Sequence, residues 1–435
     1  MQNILKPAII ALACLAALGA CAQTATITPP VVTGTATVAA PLGQFSLADC
    51  IAYATANQPD YQAALLNLQS SGAQLTQSQA SYMPTVSVQN NDLHIEDPKN
   101  NTGHGTSLQV THTFYDSGLR DVRNQQAHAS LSSDEAGLRR TKQTLDFNVT
   151  SAYVSLLRAQ KLLTVSNEQL KYVQDQYDVL KKRVDVGDAA RVDLLPLAAQ
   201  LASSRVSKIN AENNIRKARV ALKNIIGLSL AAPFEITEIK EPAAFEIKNV
   251  DDYLQTAKNQ RPELLQAQLN QTTAELNLKS AKINRGPRFQ VNGNYGMDID
   301  SKMARNWSVT GVISYNIFDG NLLKAKEDEA GSNLDATLQR AASTFNGVQS
   351  DVWNAYLNLQ NAKERRTATD ASLLAARANS DAQLARAKAG LGTSLDITNA
   401  AVQLASAEND SIAAQYDYIQ ALAQLNYALG QEGIQ

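Results

Sequence analysis

The feature that most constrains the fold of this chain is an internal repeat with a fixed offset of 203 positions. Motifs in the first half recur in the second half at this one spacing, over most of the length of the chain. A self-similarity that holds one offset over so many residues predicts a tandem duplication. The matching pairs include NQPDY at Asn57–Tyr61 with QRPEL at Gln260–Leu264, FYDSGL at Phe114–Leu119 with IFDGNL at Ile317–Leu322, and Gly227 with Gly430.

The duplication divides the chain into two repeats of one design. We place the first repeat at residues 45–227, a linker at 228–250, the second repeat at 251–430 and a short tail at 431–435. Each repeat has, in order, a helix interrupted near a proline, an alternating apolar and polar segment, and two long helical stretches. The linker and the segment before Phe45 are expected to form a belt around the middle of the helices.

The alternating segments predict two β-hairpins. Their strands are expected at residues 84–93 and 105–115 in the first repeat, and at 287–298 and 305–318 in the second. Strands of about 10 residues have the length of a tilted strand that spans a membrane. Aromatic residues gather towards the strand ends, as at a membrane interface: Tyr82, Phe114, Tyr115, Phe289, Trp307, Tyr315 and Phe318.

Long helices follow each hairpin. The stretch from Leu119 to Val184 has no proline, and a helix of about 66 residues would be on the order of 100 Å long. Apolar residues recur in it every seven positions, which predicts a coiled-coil seam. Alanines with the same spacing mark the last helix of the second repeat: Ala400, Ala407, Ala414, Ala421 and Ala428.

Two glycine-containing turns separate the long helices, VGDAARVDLL at Val186–Leu195 and AGLGTSLDIT at Ala389–Thr398. We predict tip turns at residues 185–191 and 389–395. Glycine is the preferred residue where a helix ends in a left-handed conformation.

Four residues carry the local chemistry of these turns. Gly187 and Gly390 are expected to end the ascending helices. Asp193 and Asp396 are expected in the first turn of the returning helices, where a carboxylate faces the positive end of the helix dipole.

The N-terminus is a processing segment. Residues 1–20 hold one lysine and an apolar run too short to span a bilayer, which is typical of a signal peptide. Leu18–Cys21 (LGAC) resembles the bacterial lipobox, which would place a covalent lipid on Cys21; the alternative is an ordinary cleavage site beside a cysteine. Residues 21–44 would then be an acylated tether, and the residue after Cys21 is not the Asp that favours the inner membrane.

Composition excludes several functions. A formal net charge of −2 gives no basic face for nucleic acid. The chain has no nucleophile motif, no phosphate-binding loop and no Cys/His spacing for a metal. We therefore predict a protein that is not an enzyme and has no cofactor besides the lipid.

The hairpins require association between chains. Four strands cannot close a barrel, and an open sheet edge is not tolerated in lipid. Three chains would supply 12 strands and 12 helical segments, enough for a barrel and a tube. The expected fold is mostly α with a small membrane β-barrel part, built from a duplicated helix–hairpin–long-helix-pair module.

The ordered set of hairpins, FYDSGL and IFDGNL motifs and tip turns resembles the TolC-type outer-membrane efflux channels, and the lipobox resembles their lipid-anchored branch. This resemblance implies a homotrimer with a 12-stranded barrel in the outer membrane and a 12-helix tunnel through the periplasm. It also implies a periplasmic adaptor protein and an inner-membrane pump as partners, with small molecules as cargo. Two alternatives remain, a channel for type I protein secretion and a periplasmic coiled-coil scaffold lipoprotein without a pore.

The resemblance also implies roles for residues of the tip. Asp396 and Asn399 would line the periplasmic aperture, and the Tyr and Arg with which relatives latch the tip fall here on Ala387 and Gly392. Residues of the two turns would bind the adaptor: Gly187, Asp193, Gly390, Gly392 and Ser394.

Overall fold

The computed structural model describes residues 44–93, 103–239, 247–298, 305–389, 391 and 393–431. Cys21, Gly390, Gly392, the signal peptide and most of the tether lie outside the described residues.

The described residues form six strands, eight α-helices and one short 3-10 turn. In the first repeat these are β1 (Gln44–Phe45), α1 (Leu47–Asn57), α2 (Pro59–Ala80), β2 (Thr85–Leu93), β3 (Gly103–Tyr115), α3 (Leu119–Asp185), the 3-10 turn Arg191–Asp193 and α4 (Leu194–Ile226). The linker contributes β4 (Glu235–Ile236). The second repeat contains α5 (Val250–Gln260), α6 (Pro262–Ile283), β5 (Arg288–Asp298), β6 (Arg305–Ser314), α7 (Leu322–Lys388) and α8 (Ser394–Leu429).

The helices of the two repeats have equivalent bounds at the offset of 203 positions. Helices α1, α2 and α3 begin and end 203 positions before α5, α6 and α7. Pro59 and Pro262 occupy the first position of α2 and α6, where a missing N–H is tolerated. The predicted interruption of the first helix in each repeat is therefore a clean break between two helices.

Glycines end the returning helices at equivalent places. Gly227 follows α4 with φ +74°, and Gly430 follows α8 with φ +77°. A Cβ at these positions would lie 3.2 Å from the Asn57 carbonyl oxygen and 2.8 Å from the Gln260 carbonyl oxygen. The left-handed backbone and the close approach of a neighbouring helix both require glycine.

The hairpins join into one antiparallel sheet with the order β2-β3-β5-β6. Strand β3 pairs with β5, so that the two repeats share the sheet, and an irregularity in register lies between Thr113 and Tyr115. Strands β2 and β6 form the two edges.

The predicted strand 305–318 is wrong at its end, because β6 stops at Ser314. Ser314 pairs with Arg288, the first residue of β5, and Pro287 before it has no N–H to donate. Strand β3 continues to Tyr115 because β5 offers it a partner on the other side. In a single chain, residues 315–318 have no such second neighbour.

The alanine stripe of α8 is buried along its whole length, as the seven-residue spacing predicted. Its members are at most 7% exposed, and the upper ones pack against α7. Small residues allow two long helices to approach closely. The stripe therefore holds α7 and α8 together as a pair.

A belt of non-local contacts surrounds the middle of the long helices. Strand β1 pairs in parallel with β4 of the linker, and Phe45 packs against Phe234 with ring centroids 5.0 Å apart. The Tyr153 hydroxyl lies 2.6 Å from the Thr237 carbonyl oxygen, and the buried Lys223 ammonium donates to two linker carbonyls. Strand β1 and the first part of the linker are thus fixed to α3 and α4.

Cys50 lies in this belt with no exposed surface. Burial raises the pKa of its thiol to about 12, so that it remains protonated at neutral pH. It is a small core residue of α1. None of the helices in the described part of the chain is long and apolar enough to cross a membrane.

Candidate functional site

One face of the sheet is mainly apolar, with Asn90, Thr106 and His112 among the exceptions, and the other is mainly polar, with Val312 as one exception. Successive side chains of a strand point to opposite faces, and the strand registers place the even positions of β2 and β3 on the same face as the odd positions of β5 and β6. The apolar face carries Val86, Val88, Leu108, Val110, Phe289, Val291, Tyr295, Trp307, Val309 and Ile313. The polar face carries Thr85, Ser87, Gln89, Gln109, Thr111, Thr113, Gln290, Asn292, Asn294, Ser308, Thr310 and Ser314.

Apolar side chains on the first face lie open in the single chain. Val88 is 70% exposed, Trp307 70% and Ile313 76%. A membrane strand shows this alternation, with apolar side chains towards lipid and polar side chains towards the lumen. The arrangement suits a sheet whose outer face contacts lipid and whose inner face contacts water.

Aromatic side chains mark two levels of the apolar face. Phe114 and Phe289 lie near the helical end, with ring centroids 5.9 Å apart. Tyr295 and Trp307 are paired across β5 and β6, six residues further along β5, which corresponds to about 20 Å. These levels agree with a predicted aromatic girdle. Tyr82 differs, because its hydroxyl donates to Asp121 at the start of α3.

The first tip turn is stabilised through the backbone. Helix α3 ends at Asp185, and Gly187 follows with φ +80°. The Asp188 N–H donates to the Arg183 carbonyl at 2.8 Å, and the Gly187 N–H donates to the Val184 carbonyl at 3.0 Å. This pair of bonds is the Schellman motif, in which a glycine reverses the chain.

Asp193 does not cap the returning helix through its side chain. It is the last residue of a 3-10 turn and immediately precedes α4, just before the first turn in which it was expected. The residue that would have to cap this turn is Ala190, which has no side-chain acceptor. Asp193 therefore acts on the helix start only through its charge.

The second tip turn has a side-chain cap that the first one lacks. The Thr393 hydroxyl donates to Asp396 Oδ2 at 2.7 Å and accepts from the Asp396 N–H at 3.2 Å. The Thr393 N–H also donates to Asp396 Oδ2, at 3.0 Å. This is a capping box, and α8 consequently begins three positions earlier than the equivalent of α4. This capping box was not predicted from the sequence, although Thr393 and Asp396 in TSLD have the spacing that it requires.

Capping leaves Asp396 on the surface as an anion. The Thr393 hydroxyl, and after it the Thr393 N–H, lower the pKa of the Asp396 carboxyl from its usual 3.8. Asp396 and Asn399 are both exposed and lie three positions apart, on one face of α8. Ser394 is the first residue of α8, and Gly390 and Gly392 lie outside the described residues.

The described residues contain no group of three His, Cys, Asp or Glu side chains arranged to hold a metal ion. Their chemistry is that of a two-faced sheet on long helical arms with two capped turns at the far end.

Comparisons with known proteins agree with this architecture. The family model described as outer membrane efflux protein matches residues 51–228 and 253–431, one match for each repeat. Outer membrane protein TolC of Escherichia coli is 24% identical over 357 residues, which cover 76% of this chain and 70% of TolC. The alkaline protease secretion protein AprF of Pseudomonas aeruginosa is 22% identical over 313 residues, which cover 69% of this chain and 64% of AprF.

A solved structure shows the same fold. The open-state structure of the MtrE outer membrane channel of Neisseria gonorrhoeae superimposes with a TM-score of 0.75 at 19% identity, over 89% of each chain. The likeness extends over helices and sheet together. With both repeats matched, this chain belongs to the outer membrane efflux protein family, and it is an outer-membrane channel protein, not an enzyme.

Proposed function

We propose that this protein is the trimeric outer-membrane exit duct of a tripartite efflux system for small molecules. The observation that carries the proposal is the four-stranded sheet, which combines an exposed apolar face with two unclosed edges. An edge strand in lipid leaves backbone groups without partners, so the sheet is stable in a membrane only when the edges of neighbouring chains meet. Three chains give a barrel of 12 strands.

The long helices would form the periplasmic part of the duct. Helices α3 and α7 each have 67 residues, which corresponds to about 100 Å. In a trimer, α3, α4, α7 and α8 of each chain would surround one tunnel. A covalent lipid on Cys21 would hold the complex to the outer membrane in addition to the barrel.

The tip turns would serve the aperture and the partner proteins. We place Asp396 and Asn399 at the aperture, where three exposed carboxylates around one axis would attract cations and repel anions. The turn residues Gly187, Asp193, Gly390, Gly392 and Ser394 would bind a periplasmic adaptor, which connects the duct to an energised inner-membrane pump. The capping box of the second turn would keep Asp396 in a fixed position.

A second candidate function is the export of proteins. AprF, whose name assigns it to alkaline protease secretion, is as similar to this chain as several efflux relatives. The description of the family itself favours efflux. Both functions use the same duct and differ in the pump.

Complementation in the native host tests the proposal. A strain without the gene would receive the wild-type gene or an empty vector, and the retention of a fluorescent efflux dye would be measured beside the proteins secreted into the medium. We expect the wild-type gene to lower dye retention and to leave the secreted proteins unchanged. Unchanged dye retention with restored protein secretion would favour the second candidate.

A further inference from the structure

Basic residues stand at equivalent positions where the long helices leave the sheet. Arg123 is the fifth residue of α3, and Lys326, 203 positions later, is the fifth residue of α7. Both side chains are exposed. The two repeats therefore place a cation at the same level, just over one helical turn from the sheet.

The belt shows which side of α3 is opposite to Arg123. Val149 and Tyr153 pack into the core of the belt, and steps of seven residues lead from them to Asp121 and Gln125. Arg123 is two positions from each, which turns its side chain by about 200° around the helix. A tunnel that conducts leaves no room for the belt inside it, so the belt lies outside. Arg123 therefore faces the lumen.

The helices on both sides of α3 support this orientation. Ser78 of α2 donates to the Asn124 side chain at 3.5 Å, and Gln126 donates to Asn277 of α6 at 2.8 Å. Arg123 lies beside both contacts and still remains exposed, so its side chain enters neither. The equivalent lysine of α7 would have the same orientation, because the repeats share one design.

A third cation lies on the polar face of the sheet at the same junction. Arg288 is the first residue of β5, where it is paired with Ser314 and exposed. Its Nη2 donates to Asn284 Oδ1 at 2.6 Å. The polar face of the sheet and the inner side of the long helices thus both present cations where they meet.

Few carboxylates lie beside these cations. Lys324 forms an ion pair with Asp328 at 2.7 Å, on the side of α7 opposite to Lys326. Among the described residues, no carboxylate lies within ion-pair distance of Arg123 or Lys326. Glu329 is the next acidic residue along the inner side of α7, and the equivalent position of α3 is a glutamine. At this level each chain therefore contributes three inward cations and one carboxylate.

A cavity beside Lys326 offers further groups to an anion. It has a volume of about 270 Å³, lies between α6 and α7, and is lined by Lys326 and Glu329 and by Asn277 and Asn284. The side-chain oxygen of Asn277 accepts from a glutamine of α3 at 2.8 Å, and that of Asn284 accepts from Arg288 at 2.6 Å. With their oxygens occupied, the two amides have N–H groups left to donate to an acceptor.

We propose that Arg123 and Lys326 of three chains form a ring of six cations around the lumen, which binds anionic molecules in transit. Arg288 adds a cation from each chain on the side of the barrel. The inference rests on the proposed trimeric duct and names a chemical class for its contents, organic anions with carboxylate, sulfonate or phosphate groups. Charged rings select ions in pores in the same way.

The size of the lumen determines when the ring acts. Four helices of each chain, α2, α3, α6 and α7, reach this level, and neighbouring helices are about 8–10 Å apart. Twelve helices then form a circle with a radius of about 15–19 Å. The Debye length is about 30 Å at 0.01 M salt and about 3 Å at 1 M. The ring should therefore attract anions across the whole lumen at low salt and lose them at 1 M.

Fluorescence anisotropy of pyrenetetrasulfonate, an anion with four negative charges, tests the ring on the detergent-purified protein. The anion reaches this level from the barrel end, so that the state of the tip does not affect the result. We expect binding to the wild-type protein at low salt. The double variant Arg123→Gln with Lys326→Gln should bind at least about tenfold more weakly, because six cations are lost from the lumen.

Two further variants separate the ring from general charge and from folding. Arg139→Gln with Lys324→Gln is the matched control, since it also removes one cation from each repeat. Arg139 is exposed and two seven-residue steps before Tyr153, so that both control positions lie on the outer side. This control should bind the anion like the wild-type protein. Arg123→Lys with Lys326→Arg keeps the charges and should also retain binding.

The outcomes separate this inference from the proposed function. Weaker binding in the glutamine variant of the ring alone would support the ring. No binding by the wild-type protein, equal weakening in the outer control, or lost binding in the charge-conserving variant would overturn it. A native mass of three chains and a measurable conductance would leave the duct standing in those cases. A native mass of one chain without conductance would overturn both.

Discussion

A lysine placed on either face of β6 gives a sharp test of the orientation of the sheet. Val309 and Thr310 are consecutive, and their side chains lie on the apolar and the polar face. Val309 is 67% exposed in the single chain and lies between the two aromatic levels. A lysine on the lipid face costs about 2–4 kcal/mol at the bilayer midplane and less near an interface. Because Val309 lies closer to the Tyr295–Trp307 level than to the other aromatic level, we expect Val309→Lys to cost about 2 kcal/mol of folding free energy per chain.

A trimer carries the substitution three times, so the barrel should lose roughly 6 kcal/mol of folding free energy. The assay is refolding into lipid vesicles across a urea gradient, with the folded trimer detected by its resistance to denaturing electrophoresis. Thr310→Lys is the matched control and should fold normally, because its ammonium group would face water in the lumen. Equal losses for both variants would refute the assignment of the two faces.

Other substitutions address the glycines, the tip and the lipid. Gly430→Ala should lower the free energy of unfolding in urea more than Gly227→Ala does. Both positions need a left-handed backbone, but only at Gly430 would the new Cβ lie under 3.0 Å from a carbonyl oxygen. An equal loss of stability in the two variants would contradict the packing argument. Since the pKa of Asp396 lies below 3.8, we expect the cation preference of the pore to persist at neutral pH and to disappear only as the pH falls below about 4. Thr393→Ala removes the hydroxyl that contributes most to lowering this pKa and keeps the backbone N–H, so the loss of cation preference should move to higher pH. An unchanged pH profile would mean that Asp396 does not line the aperture. Cys21→Ala should abolish labelling with radioactive palmitate and leave the trimer intact; persistent labelling would exclude a lipid on this residue.

Much of the helical architecture follows from local sequence signals. The proline at the start of α2 and α6, the glycine after α4 and α8 and the repeat offset locate helix ends within a few residues. These signals act within one or two turns of the chain, where the backbone conformation is decided by nearby residues. The alanine stripe of α8 is a similar case, since its spacing alone specifies which face is buried.

Other features depend on partners far away in the chain. The pairing of β1 with β4 joins Phe45 to Ile236. Each of these strands has only two residues, which is too short for a sequence pattern that would predict the pairing. The end of β6 at Ser314 depends on where β5 begins, and residues 315–318 read as strand because they alternate like one. Their partner in our proposal belongs to another chain, which a sequence pattern cannot supply.

The candidate site divides in the same way. The alternation of the hairpins predicted the two faces of the sheet, and the tip turns were located from their glycines. The difference between the turns was not predicted, because it depends on the residues three positions before the aspartates: Thr393 has a hydroxyl that can cap a helix and Ala190 has none. The roles of Asp396 and Asn399 at an aperture stay predictions, since an aperture requires three chains.

The central claim is that three copies of this chain form one pore, and the conductance of purified protein in planar bilayers tests it most directly. The protein would be extracted with detergent, its native mass measured and the same sample added to the bilayer. We predict a mass of three chains and small, stable, cation-preferring currents, because the narrow aperture at the tip would limit the flow and its carboxylates would attract cations. A single chain without conductance would contradict the account, and the sheet would then have to be a soluble element of a coiled-coil scaffold.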